Sequence, residues 1–214
     1  MNTLLIFLLL YALDIAAIVV LLRFGLKGCG ISVVVNMLLV SRFGGIHVQV
    51  LGVSTHFGLV FFAAAIFALS LAAARLGFWA VQRIVFAVLA SLIFSAVVNQ
   101  VVLAAGYIPA PLTPYFYSGA QLVTGSLLAL YFAASLNTYL ILKRPGWRGK
   151  IAANCASHAL ASVIGFHVVY AGNWSERQIL AGILFALLLK ISLCVLDTPV
   201  YCWLLSKECE VKAT

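Results

Sequence analysis

Charged residues are scarce in this sequence, and those of negative sign are the scarcest. The 214 residues include five Asp and Glu against 13 Lys and Arg, so that charged side chains make up 8% of the chain while 65% of residues are hydrophobic. Water-soluble domains carry far more charge than this. The composition therefore excludes a soluble globular protein and indicates an integral membrane protein.

Motifs that would indicate other chemistry are also missing. The sequence has no GxxxxGK[ST] phosphate-binding loop, which argues against ATP hydrolysis by this chain. It has no HExxH pair, and its five cysteines have neither CxxC spacing nor a paired histidine motif. We therefore predict no metal site, disulfide framework or cofactor. An intramembrane enzyme is disfavoured because no nucleophile with its base can be recognised.

Long apolar runs are present instead and fill nearly all of the chain. A membrane-spanning helix takes about 20 apolar residues. The runs cover residues 3–22, 29–43, 57–74, 84–105, 119–142, 151–171 and 179–205. We predict an all-α, polytopic transmembrane helical bundle that forms a single integral membrane domain over residues 1–214. Seven spans are expected, with six as the alternative, because the second run is short and flanked by glycines.

The basic residues predict the orientation of the spans. Short cytoplasmic loops collect Lys and Arg, and here segment 143–150 carries four of them whereas 106–118 carries no charge. The first run lacks a basic start and a cleavage site, so we expect it to be a permanent span. The expected location is the plasma (inner) membrane of a bacterium, with the amino terminus outside and the carboxyl terminus in the cytoplasm if there are seven spans. The net charge of +8 follows from this bias, and no nucleic-acid partner is implied.

Two opposite charges inside the last apolar run are the strongest functional signal. An ionisable side chain at mid-membrane costs about 2.5–3.5 kcal/mol on insertion scales, so it usually faces a protein interior or a polar cavity. Lys190 and Asp197 are seven positions apart on one helix face, too far for a direct ion pair. We hypothesise that Lys190 contacts Asp14, which would lie at nearly the same depth in the first run.

Asp197 is followed closely by Pro199, which cannot donate a backbone hydrogen bond and would free a carbonyl one turn earlier. Such a break at membrane depth is tolerated where protein or a water-lined cavity meets it. Asp197 is therefore a candidate for a ligand or ion site. The alternative is a kinked helix in which Asp197 only satisfies neighbouring donors.

Further polar side chains inside the spans are candidates for binding a neutral heterocycle, since amides and imidazole both donate and accept hydrogen bonds. They are Asn99, Gln100, Gln121, Asn137, Asn154, Ser157 and His158. Hydrogen bonding from helix to helix is the alternative role for each of them.

Three segments resemble the queuosine-precursor transporter family, also called the vitamin uptake transporter family. In residues 52–89 the resemblance rests on Thr55 and Gly58 entering a span, Gly77 ending it, and Arg83-Ile84 with Phe86-Ala87-Val88 beyond it. SLNTYLILKR (135–144) is similar to the family's span end before its basic loop, and KISLCVLDTPVY (190–201) to its terminal Lys and Pro-containing stretch. The resemblance runs through most of residues 30–206.

The resemblance implies a helical-bundle importer of a small 7-deazapurine, such as queuine or its cyano or aminomethyl precursors, with Thr55 and Lys190 among the substrate-binding residues. The chain departs from the family where acids are usual, since Ser70, Asn137 and Ser162 stand at positions that resemble the family's Asp positions. We hypothesise that other polar residues have taken over these roles, namely His158, Asp197 and Asp14.

The expected partners are a small-molecule substrate and the lipid bilayer. Energy would come from an ion gradient, from the substrate's own downhill flow or from a separate energising subunit, and a homo-oligomer is left open. With a separate ATPase, the chain would be the substrate-binding membrane subunit of a vitamin importer. A membrane assembly subunit without transport activity is the remaining alternative.

Overall fold

The structure, a computed structural model, describes residues 3–44, 47–50, 53–106, 119–170 and 174–213. These parts of the chain form long helices and one two-stranded sheet. In chain order the elements are α1 (Thr3–Leu21), a 3-10 turn (Leu22–Phe24), α2 (Gly25–Phe43), β1 (His47–Val50), β2 (Val53–His56), α3 (Gly58–Leu76), α4 (Phe78–Ala104), α5 (Gly119–Lys143), α6 (Trp147–Tyr170) and α7 (Glu176–Ala213).

Six stretches within these described parts are long and apolar enough to cross a membrane: Leu4–Phe43, Gly58–Leu76, Phe78–Val102, Val123–Lys143, Trp147–Tyr170 and Glu176–Ser206. Many large apolar side chains on their outer surfaces are exposed, including Trp79, Phe94 and Leu188. Such side chains are stable in lipid, which is as apolar as they are. The predicted all-α, polytopic membrane bundle is thus confirmed.

The first of these stretches is folded back on itself. The side chains of Asp14 in α1 and Asn36 in α2 are in hydrogen-bonding contact, although 22 residues separate them in the sequence. Gly25 lies between them with a φ of 60°, a conformation that favours glycine. Gly28 then passes so close to the Leu21 carbonyl that a Cβ atom would lie 1.7 Å from its oxygen. The glycines therefore permit a tight antiparallel hairpin of two helices.

A small β-hairpin joins α2 to α3, and the sequence analysis did not anticipate it. β1 and β2 are antiparallel, with His47 opposite His56 and Val50 opposite Val53. Apolar and polar residues alternate along β1, and β-branched valines favour extended backbone. β2 contacts α7. Thr55 consequently lies in a strand that precedes the span, and α3 itself begins at Gly58.

Helix α3 forms the centre of the bundle. Every residue from Gly58 to Ala73 is buried, and α3 contacts α1, α2, α4, α5, α6 and α7. A helix that is apolar on all sides can occupy such a central position because it has no polar face that requires water. Because α3 is rich in alanine, neighbouring helices can approach it closely. This arrangement brings the inner faces of α5, α6 and α7 together around one end of α3.

Candidate functional site

A cavity lies between the helices at the end of the bundle that carries the β-hairpin. It is open on one side and contains about 440 Å³ of space, which includes the open volume at its mouth. The lining is mainly apolar and comes from the end of α2, from β2, from the first turns of α3 and α5, from the second half of α6 and from the middle of α7. The polar residues of the lining are His56, Ser126, Ser162, Tyr170 and Lys190.

Lys190 supplies the charge of this cavity. Its side chain is only 3% exposed, and Nζ donates a hydrogen bond of 3.0 Å to Ser162 Oγ of α6. The ammonium also lies 4.7 Å from the centre of the Phe62 ring, a favourable position for a cation over an aromatic face. An ammonium has three N–H donors. The Ser162 hydroxyl and the Phe62 ring do not use all three, so Lys190 can donate to a further acceptor.

Among the residues that the structure describes, no acidic side chain lines the cavity. The chain has only five acids to offer: Asp14 contacts Asn36, Asp197 contacts Lys150, Glu176 is exposed in the first turn of α7, and Glu208 and Glu210 lie near the end of α7. Within the described parts of the chain, no carboxylate of the cavity wall therefore neutralises the positive charge of Lys190.

Aromatic rings form one wall of the cavity. The rings of Phe166 and Tyr170 are 5.3 Å apart, and His56 lies 6.0 Å from Phe166 and 6.3 Å from Tyr170. Tyr170 stacks in turn on Trp174, with centroids 4.2 Å apart and planes inclined by 14°. Such a wall offers flat π-surfaces to a planar ring system.

Two predicted site residues, Thr55 and His158, are buried beside the cavity without lining it. Thr55 is adjacent to His56 in β2, and its Oγ1 accepts or donates no hydrogen bond among the described residues. His158 lies one turn before Ser162 on α6, and its ring is 6.4 Å from Phe62. Its Nδ1 likewise lacks a partner within the described parts of the chain. Thr55 and His158 therefore lie directly behind residues that line the cavity.

A buried ion pair joins Lys150 to Asp197. The Asp14–Lys190 pairing expected from the sequence is wrong, because Asp14 contacts Asn36 and Lys190 contacts Ser162. Lys150 Nζ donates to Asp197 Oδ1, to the Cys194 carbonyl at 3.1 Å and to Thr198 Oγ1 at 3.2 Å. Asp197 Oδ2 accepts a second hydrogen bond of 2.5 Å from the Tyr11 hydroxyl.

Asp197 therefore has both oxygens satisfied and lies outside the cavity lining. Its contacts connect α1, α6 and α7. Helix α7 continues through Pro199 as one helix from Glu176 to Ala213. This arrangement matches the alternative interpretation, in which Asp197 satisfies neighbouring donors.

A neutral polar network links α3, α5 and α6. Ser70 Oγ is 3.1 Å from Asn137 Oδ1 and 2.8 Å from Asn154 Oδ1, and Asn137 Nδ2 donates to Asn154 Oδ1 at 2.6 Å. Two of these residues, Ser70 and Asn137, stand where the resemblance led us to expect acids. The structure shows that the two positions face each other, so uncharged groups replace what would be adjacent carboxylates.

Two other predicted site residues, Asn99 and Gln100, are not among the residues that line the cavity. Asn99 accepts a hydrogen bond of 3.1 Å from Arg42 at the exposed end of α4, and Gln100 beside it is exposed. Gln121 lies in the first turn of α5, and its side chain is outside the described part of the structure, as is the proline-rich segment 107–118. Among the described residues, no group of three His, Cys, Asp or Glu side chains is arranged to hold a metal ion.

Several residues of the site were missed by the sequence analysis. His56, Ser126 and Tyr170 line the cavity, and Lys150 and Tyr11 complete the ion-pair cluster. Lys150 was assigned to a basic loop, yet it is 0% exposed, because α6 begins at Trp147 and has already turned inward at this position. The available signal was the Pro145-Gly146 pair, which marks a turn and allows a helix to begin before Lys150.

Comparison with known proteins agrees with the earlier resemblance. The model of a family described as "Putative vitamin uptake transporter" matches residues 56–204. This range contains β2's last residue, all of α3 to α6 and most of α7, and therefore nearly all of the cavity lining. Searches of curated proteins and of solved structures gave no match. Since the family model covers well over half of the chain, the protein belongs to the vitamin uptake transporter family.

Proposed function

We propose that the protein imports a 7-deazapurine precursor of queuosine, which binds in the cavity between α3, α5, α6 and α7. The observation that carries this proposal is the buried Lys190 ammonium at the side of an aromatic-walled cavity. The family membership supplies uptake of a small solute, and the chemistry of the cavity supports the finer assignment.

The cavity suits a planar, acceptor-bearing heterocycle. Lys190 has donor capacity beyond its bond to Ser162, which matches a ring carbonyl or ring nitrogen that accepts a hydrogen bond. Phe166, Tyr170 and His56 present aromatic surfaces on which a fused ring can stack.

The side of the bundle on which the cavity lies also supports import. Its lining comes from the β-hairpin end, where α2 and α6 end and α3 and α5 begin. If segment 143–150 faces the cytoplasm, as its basic residues predict, then this end faces outward. The cavity would therefore receive its solute from outside the cell, with Lys190 at its inner side.

The experiment is uptake of labelled queuine and of its cyano and aminomethyl precursors in cells that lack their own importer and synthesis. Wild-type protein is expected to cause accumulation of at least one of them, whereas Lys190→Met abolishes it at equal expression. Lys143→Met is the matched control, because Lys143 is exposed at the end of α5. Absence of uptake by well-expressed wild-type protein, for all three compounds, would refute the assignment.

A further inference from the structure

In the hydrogen bond between Asp14 and Asn36 of the α1–α2 hairpin, the amide of Asn36 is the donor and the carboxylate of Asp14 is the acceptor. Asn36 Nδ2 donates to Asp14 Oδ1 at 3.1 Å and to the Ser32 carbonyl at 3.0 Å. Both hydrogens of the amide nitrogen are thereby used. A reversed amide would direct its oxygen at two acceptors, so the orientation with nitrogen toward Asp14 is the stable one.

Two oxygens at this contact are buried and have no hydrogen-bond partner among the described residues. They are Asp14 Oδ2 and Asn36 Oδ1. Asp14 Oδ2 shares its carbon with Oδ1, which accepts the hydrogen bond, and Asn36 Oδ1 shares its carbon with Nδ2, which donates it. The two oxygens therefore belong to the two groups that are in contact. A buried acceptor without a donor is unfavourable. Asn36 as a whole is only 1% exposed, and Asp14 is half-buried with its Oδ2 turned away from the surface.

We propose that Asp14 and Asn36 form a proton-binding site. A proton taken from water by Asp14 Oδ2 changes that oxygen from an acceptor to a donor, and Asn36 Oδ1 is the acceptor it would meet. The two side chains are then joined by a pair of hydrogen bonds, one in each direction, as in a carboxylic acid–amide pair. One proton satisfies both orphaned oxygens, and its release restores the carboxylate without any other bond changing.

The electrostatic surroundings of Asp14 favour a proton over a fixed counter-ion. The charged residues of α2, Lys27 and Arg42, lie nine and six positions from Asn36, about 13 and 9 Å along the helix axis. Arg23, in the 3-10 turn, is nine positions from Asp14. On α3 the charged residue is Arg75 in the last turn, which donates to the Leu204 carbonyl at 2.9 Å.

The remaining titratable groups near Asp14 either form hydrogen bonds with other residues or lie several positions away along their own helix. Tyr11 lies one turn earlier on α1 and donates to Asp197 of α7, whose other oxygen accepts from Lys150. Cys29 is seven positions before Asn36 on α2. The side chain of His47 in β1 is outside the described part of the structure. Asp14 is therefore a carboxyl group at membrane depth beside which the described residues put no cation, which makes the neutral form favourable.

A proton that binds in the middle of a membrane helix can couple uptake to a proton gradient. Coupling of uptake to a proton gradient through Asp14 rests on the proposed importer function. Binding of a proton by Asp14 does not depend on that function. The two parts are therefore tested separately.

Infrared spectroscopy of the purified protein in lipid bilayers tests the proton site without any substrate. At neutral pH, wild type and the control Glu176→Gln are expected to show the carbonyl stretch of a protonated carboxyl, and Asp14→Asn is expected to lack it. Asn36→Leu should shift this band, since the hydrogen bond to the amide is lost. Absence of the band from folded wild type would overturn the site. A band that emerges only when sodium is removed would also overturn it, in favour of a sodium ion.

Uptake into proteoliposomes with an imposed pH gradient tests the coupling. Wild type is expected to accumulate a labelled precursor above its external concentration, whereas Asp14→Asn exchanges the precursor across the membrane but does not accumulate it. Equal accumulation by Asp14→Asn and wild type would overturn the coupling role. No transport by wild type at all would contradict the importer function instead, and the infrared result would then decide the proton site alone.

Discussion

The side chains of Lys150 and Asp197 form an ion pair between the first turn of α6 and the second half of α7, and both are almost completely buried. Tyr11 extends the contact to α1 through its hydrogen bond to the other carboxylate oxygen. The pair therefore holds three helices at one position, and it lies outside the residues that line the cavity.

Removing one member of this pair is expected to destabilise the protein strongly. Lys150→Met or Asp197→Leu leaves an uncompensated buried charge, which costs about 3–5 kcal/mol. The double variant should cost clearly less than the sum of the two, because neither charge remains. Thermal unfolding of the purified variants in detergent measures the cycle, and additive effects would contradict a direct pair.

Loss of uptake in an Asp197 variant is accordingly expected to follow loss of folded protein, whereas loss of uptake in a Lys190 variant should occur in folded protein. The amount of protein that elutes as a single species from a sizing column separates the two cases. An Asp197→Asn protein of wild-type stability that fails to bind solute would contradict this distinction.

The charge of Lys190 is expected to select among related solutes. The aminomethyl precursor carries a protonated amine at neutral pH, which Lys190 repels, whereas the cyano precursor is neutral there. Wild type should therefore prefer the cyano compound by roughly tenfold or more, equivalent to about 1.4 kcal/mol. Competition of each compound with labelled uptake measures the ratio. Lys190→Gln should reduce the preference, and equal competition in wild type would count against the charge argument.

The neutral network of α3, α5 and α6 is expected to contribute to stability through Asn137. Asn137→Leu removes a donor and an acceptor from buried partners, at a cost of about 1–3 kcal/mol. Thr138→Val is the matched control, since the Thr138 hydroxyl bonds only to the Ala134 carbonyl of its own helix among the contacts described. Melting temperatures should fall clearly more for Asn137→Leu, and equal losses would show that the network contributes little.

Gly182 is expected to be necessary for the shape of the aromatic wall. A Cβ atom there would lie 2.4 Å from Phe166 Cε1, so Gly182→Ala must displace the Phe166 ring that lines the cavity. Overpacking of this kind costs about 1–3 kcal/mol, and we expect a raised KM for uptake. Gly30→Ala serves as the control, because its nearest neighbour would be Ile84 at 3.9 Å. An unchanged KM in Gly182→Ala would indicate that this wall does not contact the solute.

Properties that depend on a single segment of the chain were predicted best from the sequence. Apolar runs predicted membrane helices, and their residues do form long helices that match the predicted class of fold. Lys190 and Asp197 were expected to face a protein interior or a polar cavity; Lys190 lines the cavity, and Asp197 is paired with Lys150. The family was also predicted from local segments and is confirmed.

Polar pairs between helices were predicted poorly. Asp14 was expected opposite Lys190 on grounds of depth, yet it contacts Asn36 of the adjacent helix, while Lys190 contacts Ser162. Depth is one coordinate only, and the rotation of each helix and the choice of its neighbours decide which side chains meet. The β-hairpin was likewise overlooked, because four-residue strands are short beside the apolar runs that flank them.

The sequence by itself determined that this protein lies in the membrane as a helical bundle, because hydropathy and length act residue by residue along each segment. It also determined that few carboxylates exist to neutralise buried cations. Only the tertiary structure decided which cation is neutralised. It places Lys150 against Asp197 and leaves Lys190 facing a cavity, because packing around α3 sets the rotation of α6 and α7, and no local pattern encodes that rotation.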